Sequence, residues 1–123
     1  MASIETTLKD AMAIEGAVGV ALVDYSSGMT LGAAGGSAEL DMAVAAAGNT
    51  DVVRAQMRAM ELLDLDDTIE DILITLDTQY HLIRPLSARG AHGLFLYLAL
   101  NKARANLGLA RHQLRRIEAA VEV

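Results

Sequence analysis

The chain contains no cysteine, no tryptophan, one proline and one phenylalanine in 123 residues. Without cysteine there can be no disulfide, no thiolate metal ligand and no cysteine nucleophile, and cytoplasmic residence is the simplest expectation. Aromatics are confined to Tyr25, Tyr80, Tyr97 and Phe95, so the core has to be aliphatic, rich in alanine and leucine and padded with six methionines. Positive charge is also scarce. Ten Lys and Arg against sixteen Asp and Glu leave a net charge of −6, which argues against nucleic acid, whose binding leans on neutralising phosphates. No long apolar run occurs: residues 17–23 are too few to cross a bilayer, and Glu5, Lys9 and Asp10 precede them. Neither a targeting segment nor membrane insertion is expected.

What is present is aliphatic bulk. A hydrophobic fraction of 53% lies slightly above the ordinary range and excludes a disordered chain. The length fits one domain, 1–123, able to bury roughly two-thirds of its unfolded surface, and the mild apolar surplus points to surface that meets a partner. Charge is segregated. Residues 61–77 carry seven acids and no base, while residues 102–116 carry Lys102, Arg104, Arg111, Arg115 and Arg116 and no acid. Two readings stand: solvated faces, or complementary patches used in assembly.

Periodicity divides the chain into eight elements. Ile4, Leu8, Ala11 and Met12 share one helical face behind Ser3, a candidate N-cap, and Gly16 ends that helix. Residues 17–24 read as a strand apolar on both faces, hence central, and 29–34 return as a second strand after the Ser26-Ser27-Gly28 turn. Gly19 and Gly32 within these strands predict a close approach or a bulge. A second helix is expected from Glu39 to Leu63, with Ser37 as a possible cap and a kink or restart at Gly48-Asn49-Thr50. Residues 69–76 form a third strand, with Ile72, Ile74 and Leu76 on one face. A fourth follows and holds Pro85 near its end, where a missing ladder donor is tolerated. A fifth spans 94–100. Asn101 is read as the cap of a last helix whose apolar seam is Ala103, Leu107, Ala110, Leu114, Ile117 and Val121. The order α-β-β-α-β-β-β-α predicts an α+β sandwich: one five-stranded antiparallel sheet with helices on both faces.

Chemistry is nearly absent from this pattern. His81, His92 and His112 lie in different elements at no ligand spacing, so no metal site is expected. No phosphate loop, G-x-G-x-x-G turn or G-x-S-x-G elbow occurs. Ser26 and Ser27 lie beside Asp24 without a histidine to activate them. Asp66, Asp67, Glu70 and Asp71 lack the alternation and central glycine of a calcium loop and read as a solvated loop. The expectation is no catalytic residue, no cofactor and no enzyme activity.

Three segments do carry a resemblance. GAVGVALVDYSSGMTLG (16–32), TIEDILITLDTQYHLIRPL (68–86) and GLFLYLALNKARANLGLAR (93–111), in this order, resemble the Roadblock/LC7 family, and the likeness extends from about residue 4 to residue 121. The alanine-rich second helix is similar to that of bacterial, actinomycete-like members. The resemblance implies a profilin-like sandwich with the first and last helices on one face and the second on the other. It implies dimerisation through the second helix and third strand, so that two sheets join. It also implies a non-enzymatic scaffold or regulator of small Ras-like GTPases, or a dynein light chain, with a bacterial GTPase partner favoured.

The residues favour dimerisation independently. The third strand carries no proline or lysine to blunt an open edge, and Val53, Met57 and Met60 form an adaptable apolar stripe beside it. The expected homodimer interface is therefore Val53, Met57, Met60, Ile72 and Ile74. A two-fold contact would bring Arg54 or Arg58 towards the partner's acidic 64–71 loop. Arg54, Arg58, Glu61 and Arg89 are candidate contacts to a partner. The alternative function is a structural light-chain-like or small-molecule-sensing module with no GTPase partner.

Overall fold

The structure is a computed structural model that describes residues 2–87 and 93–122. Its elements are α1 (Ile4–Met12), β1 (Ala17–Asp24), β2 (Thr30–Gly35), α2 (Met42–Leu62), β3 (Ile72–Thr75), β4 (Gln79–Pro85), β5 (Leu94–Asn101) and α3 (Leu107–Ala120). The expected order is thus observed. The strands form one sheet in the spatial order β2-β1-β5-β4-β3, antiparallel throughout.

Strand parity explains the layers, because successive side chains leave a strand on opposite faces. On β5, the central strand, Leu94, Leu96, Leu98 and Leu100 join Val20 and Leu22 of β1 under α1 and α3. Phe95, Tyr97 and Ala99 join Ala21 and Val23 under α2. Both faces of β5 are therefore covered, which is why 94–100 is continuously apolar and every residue in it is buried. Burying each such aliphatic side chain contributes about 1.5–3 kcal/mol of transfer free energy.

The glycines seat the helices. A Cβ on Gly19 would lie 2.6 Å from the Met42 sulfur at the start of α2, and one on Gly32 would lie 2.9 Å from Leu8 Cδ1 of α1. The close approach expected from these strand glycines is thus made by helix side chains. Gly35, at φ +71°, also leaves only 2.6 Å between a Cβ and the Val18 carbonyl oxygen, so no larger residue fits there.

Several boundaries differ from the sequence reading. Ser3 caps α1 as expected, accepting from Thr6 N at 3.2 Å. By contrast, α2 starts behind Asp41, whose Oδ1 accepts from Ala43 N at 2.9 Å, while Ser37 closes a turn of its own by accepting from Leu40 N. The Gly48-Asn49-Thr50 segment does not interrupt α2. Asn49 Nδ2 and Thr50 Oγ1 each donate to the carbonyl four residues back at 2.8 Å, so these side chains bind their own helix instead of capping a new one. Asn101 does not cap α3 either: it closes a turn onto Ala103 N, and Asn106 caps the helix by accepting from Leu109 N at 3.0 Å. Ala103 therefore leaves the helical seam and Leu107 begins it. The third strand is shorter than 69–76. Leu76 N donates to Gln79 O at 2.8 Å to close the β3–β4 turn, and Glu70 and Asp71 are drawn aside by α3.

Candidate functional site

Two strands border the sheet, and they are not equivalent. On β2, Leu22 of β1 faces Gly32 and Val23 faces Thr30, leaving Leu31 as the extra residue of a bulge. Such a bulge twists an edge away from pairing. β3 pairs with β4 through an unbroken register from Ile72↔Ile83 to Thr75↔Tyr80 and has no partner on its other side among the described residues. It carries no proline, lysine or bulge. The unprotected edge expected from the sequence is therefore present.

The residues expected to flank this edge fall into two groups. Val53 has no exposed surface; it lies in the core between α2 and the sheet and cannot contribute to an interface between copies. That corrects the expectation. The cause is the packing of α2 on the sheet, which buries Val53 in one cluster with Ala21 and Val23 of β1 and Phe95 of β5. Met57, Met60, Ile72 and Ile74 remain half-buried. Ile72 and Ile74 point to the α2 side of β3, as their alternation requires, and Leu73 and Thr75 point to the other. Met60, Gln56, Leu65, Ile69 and Ile72 line a cleft of about 380 Å³ between α2 and the lead into β3.

The chain reaches this cleft through a closure that sequence reasoning missed. Leu65 N donates to Met60 O at 2.9 Å and Asp64 N to Glu61 O at 3.0 Å, while Asp64 adopts φ +56°. This is a Schellman motif with aspartate in the left-handed position usually held by glycine. Met60 and Leu65 both line the cleft beside it. No glycine follows Leu63, so the usual signal is absent.

The segregated charges are joined within one chain. Arg111 donates to Asp71 through Nε at 2.8 Å and Nη2 at 3.1 Å, and Arg115 pairs with Glu70. Hydrogen bonding to Asp71, then its charge, raises the Arg111 pKa further above its ordinary value. These contacts tie the lead of β3 to α3, so Glu70 and Asp71 are not available to the arginines of a second copy. Deeper in, Arg84 of β4 and Glu118 of α3 form a buried pair at 3.3 Å, with Ser87 Oγ at 3.4 Å from the same carboxylate oxygen.

Of the candidate partner contacts, Arg54 is engaged internally. Its Nε and Nη2 donate to the carbonyls of Tyr25 and Ser26, both at 2.7 Å. Arg58 and Glu61 are exposed beside it, lining a groove with Tyr25, Ser26 and Met57. Arg89 lies outside the described residues. The Asp24 and Ser26 pair serves the β1–β2 turn: Asp24 Oδ1 accepts from Ser26 N at 2.8 Å and from Ser26 Oγ at 2.6 Å, which lowers its pKa.

One polar cluster was not foreseen. His81 Nε2 lies 2.8 Å from Gln79 Oε1 and Nδ1 lies 3.1 Å from the Tyr97 hydroxyl, with the two rings edge to face at 5.3 Å. Gln79 Oε1 can only accept, which puts the ring proton on Nε2 and leaves Nδ1 to accept from Tyr97. Burial lowers the His81 pKa and raises that of Tyr97 to about 12. Both ring nitrogens of His81 are thus engaged within the cluster. Among the described residues no group of acids and histidines could hold a metal ion, and no helix is long and apolar enough to cross a membrane.

An antiparallel sheet in the order β2-β1-β5-β4-β3, with α1 and α3 on one face and α2 on the other, is the Roadblock/LC7 fold. No protein-family model and no curated protein matches the chain. Solved structures do. The Roadblock/LC7 domain from Streptomyces avermitilis superposes with a TM-score of 0.74 at 9% identity, covering 95% of this chain and 92% of that one. Myxococcus xanthus MglB gives 0.72 at 20% identity, over 91% of this chain and 76% of that one. The gliding protein MglB from Thermus thermophilus gives 0.66 at 16% identity, over 91% and 85%. At these identities the likeness establishes a shared architecture.

Proposed function

We propose that the chain is a non-enzymatic, cytoplasmic scaffold that forms a two-fold homodimer across the β3 edge and binds a small Ras-like GTPase on the composite surface, modulating its activity or its location. The observation that carries this reading is the unprotected β3 edge with half-buried Met57, Met60, Ile72 and Ile74 beside it on the α2 side. An open edge without bulge, proline or lysine is a template for a second strand. Methionines next to it supply a surface that adapts to a partner. The GTPase rests on the resemblance to Roadblock/LC7 proteins, together with the MglB-like architecture. Arg58 and Glu61, exposed beside the groove at Tyr25, are the contacts this reading favours.

A scaffold of this kind can act without lending a catalytic group, by ordering the GTPase's own switch segments. Two measurements test the proposal. Light scattering should give the mass of a dimer for the wild type and of a monomer for Met57→Asp/Ile72→Asp, with helical circular dichroism retained. A dimer mass in the folded double variant would defeat the interface. Pull-down from lysate loaded with a GTP analogue or with GDP should recover a small GTPase in one state. Recovery of none in either state would remove the GTPase and leave a structural module.

A further inference from the structure

A buried charge pair beneath α3 is only half bonded. Arg84 leaves β4 on the same sheet face as Leu82 and meets Glu118 of α3, their side chains only 8% and 7% exposed. The contact is single-point. Arg84 Nε donates to Glu118 Oε1 at 3.3 Å, and Ser87 Oγ reaches the same oxygen at 3.4 Å. A guanidinium often grips a carboxylate through two parallel bonds, which would engage Oε2 as well. Here both Arg84 Nη atoms and Glu118 Oε2 have no hydrogen-bond partner among the described residues. Burying two charges is offset only when their remaining donors and lone pairs are also satisfied. Among the described residues no fully buried side-chain polar atom lacks a partner, so these three atoms keep access to solvent. They gain it through a cleft of about 300 Å³ lined by Thr68, Ile69, Arg84, Pro85, Ser87 and Glu118.

The two charges dictate what fits. Arg84 offers donors only, and ionised Glu118 Oε2 only accepts. An anion would gain the donors but meet the Glu118 carboxylate. A cation would gain the carboxylate but meet the guanidinium. Glu70 at the rim is already paired with Arg115, so it favours neither sign. A neutral group with a carbonyl beside an N–H satisfies both partners at once, and that group is a carboxamide.

We propose that this cleft binds a small neutral carboxamide. Its carbonyl accepts from Arg84 Nη, its N–H donates to Glu118 Oε2, and its apolar part lies against Ile69 and Pro85. An apolar wall with a few convergent polar groups is the usual make-up of a small-molecule site. Thr68 and Ile69 also line the Met60 cleft, but the buried floor here belongs to β4 and α3. None of Met57, Met60, Ile72 and Ile74 takes part. The site therefore stands whether or not the chain forms the two-fold dimer or binds a GTPase.

Benzamide, benzoate and benzamidine share one shape and differ only in this group. Titrating each into the isotope-labelled full chain, followed by NMR, tests the proposal. Benzamide should shift the amide resonances of Thr68, Ser87 and Glu118 and the Arg84 Nε–H. Benzoate and benzamidine should bind more weakly by roughly tenfold or more, because each faces a like charge and leaves one protein group unpaired. Glu118→Gln keeps an oxygen for Arg84 Nε and turns an N–H towards the cleft. That variant should reverse the order, with benzoate bound more tightly than benzamide. Thr68→Trp, at an exposed residue of the wall, should block benzamide and leave the thermal transition unchanged. If Glu118→Gln fails to fold, Thr68→Trp and the three compounds on the wild type still decide. Absence of benzamide shifts at these residues would overturn the proposal, as would equal affinity for all three compounds. So would a folded Glu118→Gln that still prefers benzamide, or a folded Thr68→Trp that binds it unchanged. The pair would then be a structural clamp completed by water alone.

Discussion

Arg111 on α3 holds Asp71, the residue before β3, through two nearly parallel hydrogen bonds of 2.8 and 3.1 Å. The carboxylate is nearly buried and the guanidinium partly exposed. β3 is four residues long and pairs on one side only, so this clamp from the opposite face of the sheet fixes where the open edge begins. Whatever pairs with β3 meets a strand already positioned by α3.

Removing the clamp should loosen β3 selectively. In Arg111→Ala, amide exchange at Ile72–Thr75 should accelerate while β1 and β5 keep their protection. Solvent screening of the exposed guanidinium limits the loss of global stability to about 0.5–1 kcal/mol. Uniform acceleration across all strands would contradict the local role.

Asp64 invites a stabilising change. A non-glycine residue in the left-handed region costs about 1–2 kcal/mol, less for Asp and Asn, whose short polar side chains tolerate it. Asp64→Gly relieves that strain but frees the unfolded chain. The net expectation is a gain of about 0.5 kcal/mol, read as a higher urea midpoint at unchanged slope. A lower midpoint would mean that the aspartate makes a compensating contact.

Val53 and Met57 should separate core from interface. Val53→Ala leaves a small cavity in a fully buried site and should cost about 2 kcal/mol of stability with no change in the dimerisation constant per folded chain. Met57→Ala should do the reverse, with a smaller stability loss and weaker dimerisation. Denaturation and light scattering on both variants distinguish these outcomes.

The His81 cluster sets a pH dependence. Its folded pKa is lowered by burial from 6.5, so the unfolded chain takes up a proton first. The stability contributed by neutral His81 is complete above pH 6.5 and is lost as pH falls from there through the folded pKa. His81→Gln should flatten that slope. At the other end Tyr97, raised to about 12 from 10.0, stays protonated in the folded chain while the unfolded chain ionises. Its contribution is lost as pH rises from 10 to about 12. Chemical denaturation across both windows checks the two signs.

Much of the architecture was legible along the chain. The continuous apolar run at 94–100 implied a strand covered on both faces. Alternation through Ile72 and Ile74 implied the buried side of β3, although Leu76, read on the same face, stands exposed beyond the strand. Leu107, Ala110, Leu114, Ile117 and Val121 implied the sheet-facing seam of α3, although Ala103, read as its start, precedes the helix. These follow from periods of 2 and 3.6, which every residue expresses locally. The site was less legible. Val53 and Met57 share one helical stripe, and nothing local says which lies over the sheet and which lies beyond it. Arg54 meets carbonyls 28 and 29 residues away and Arg111 meets a carboxylate 40 residues away, separations that no window of sequence contains. The Asn49 and Thr50 side chains could cap or continue a helix. They continued it, each donating to a carbonyl four residues back, while Met42, Ala46 and Val53 of the same helix pack into the core.

The sequence by itself determined the element order, the faces of each strand, the aliphatic core and the lack of blunting residues on the third strand. All of these depend on side-chain type and spacing, which the folded chain inherits unchanged. Tertiary structure decided that β3 stands at an edge, that Val53 belongs to the core, that Arg54 and Arg111 are engaged, and that Leu62, Leu63 and Leu65 stand exposed. Those outcomes depend on which distant residues the sheet order and helix crossings bring within a few ångströms, and on which they leave facing water.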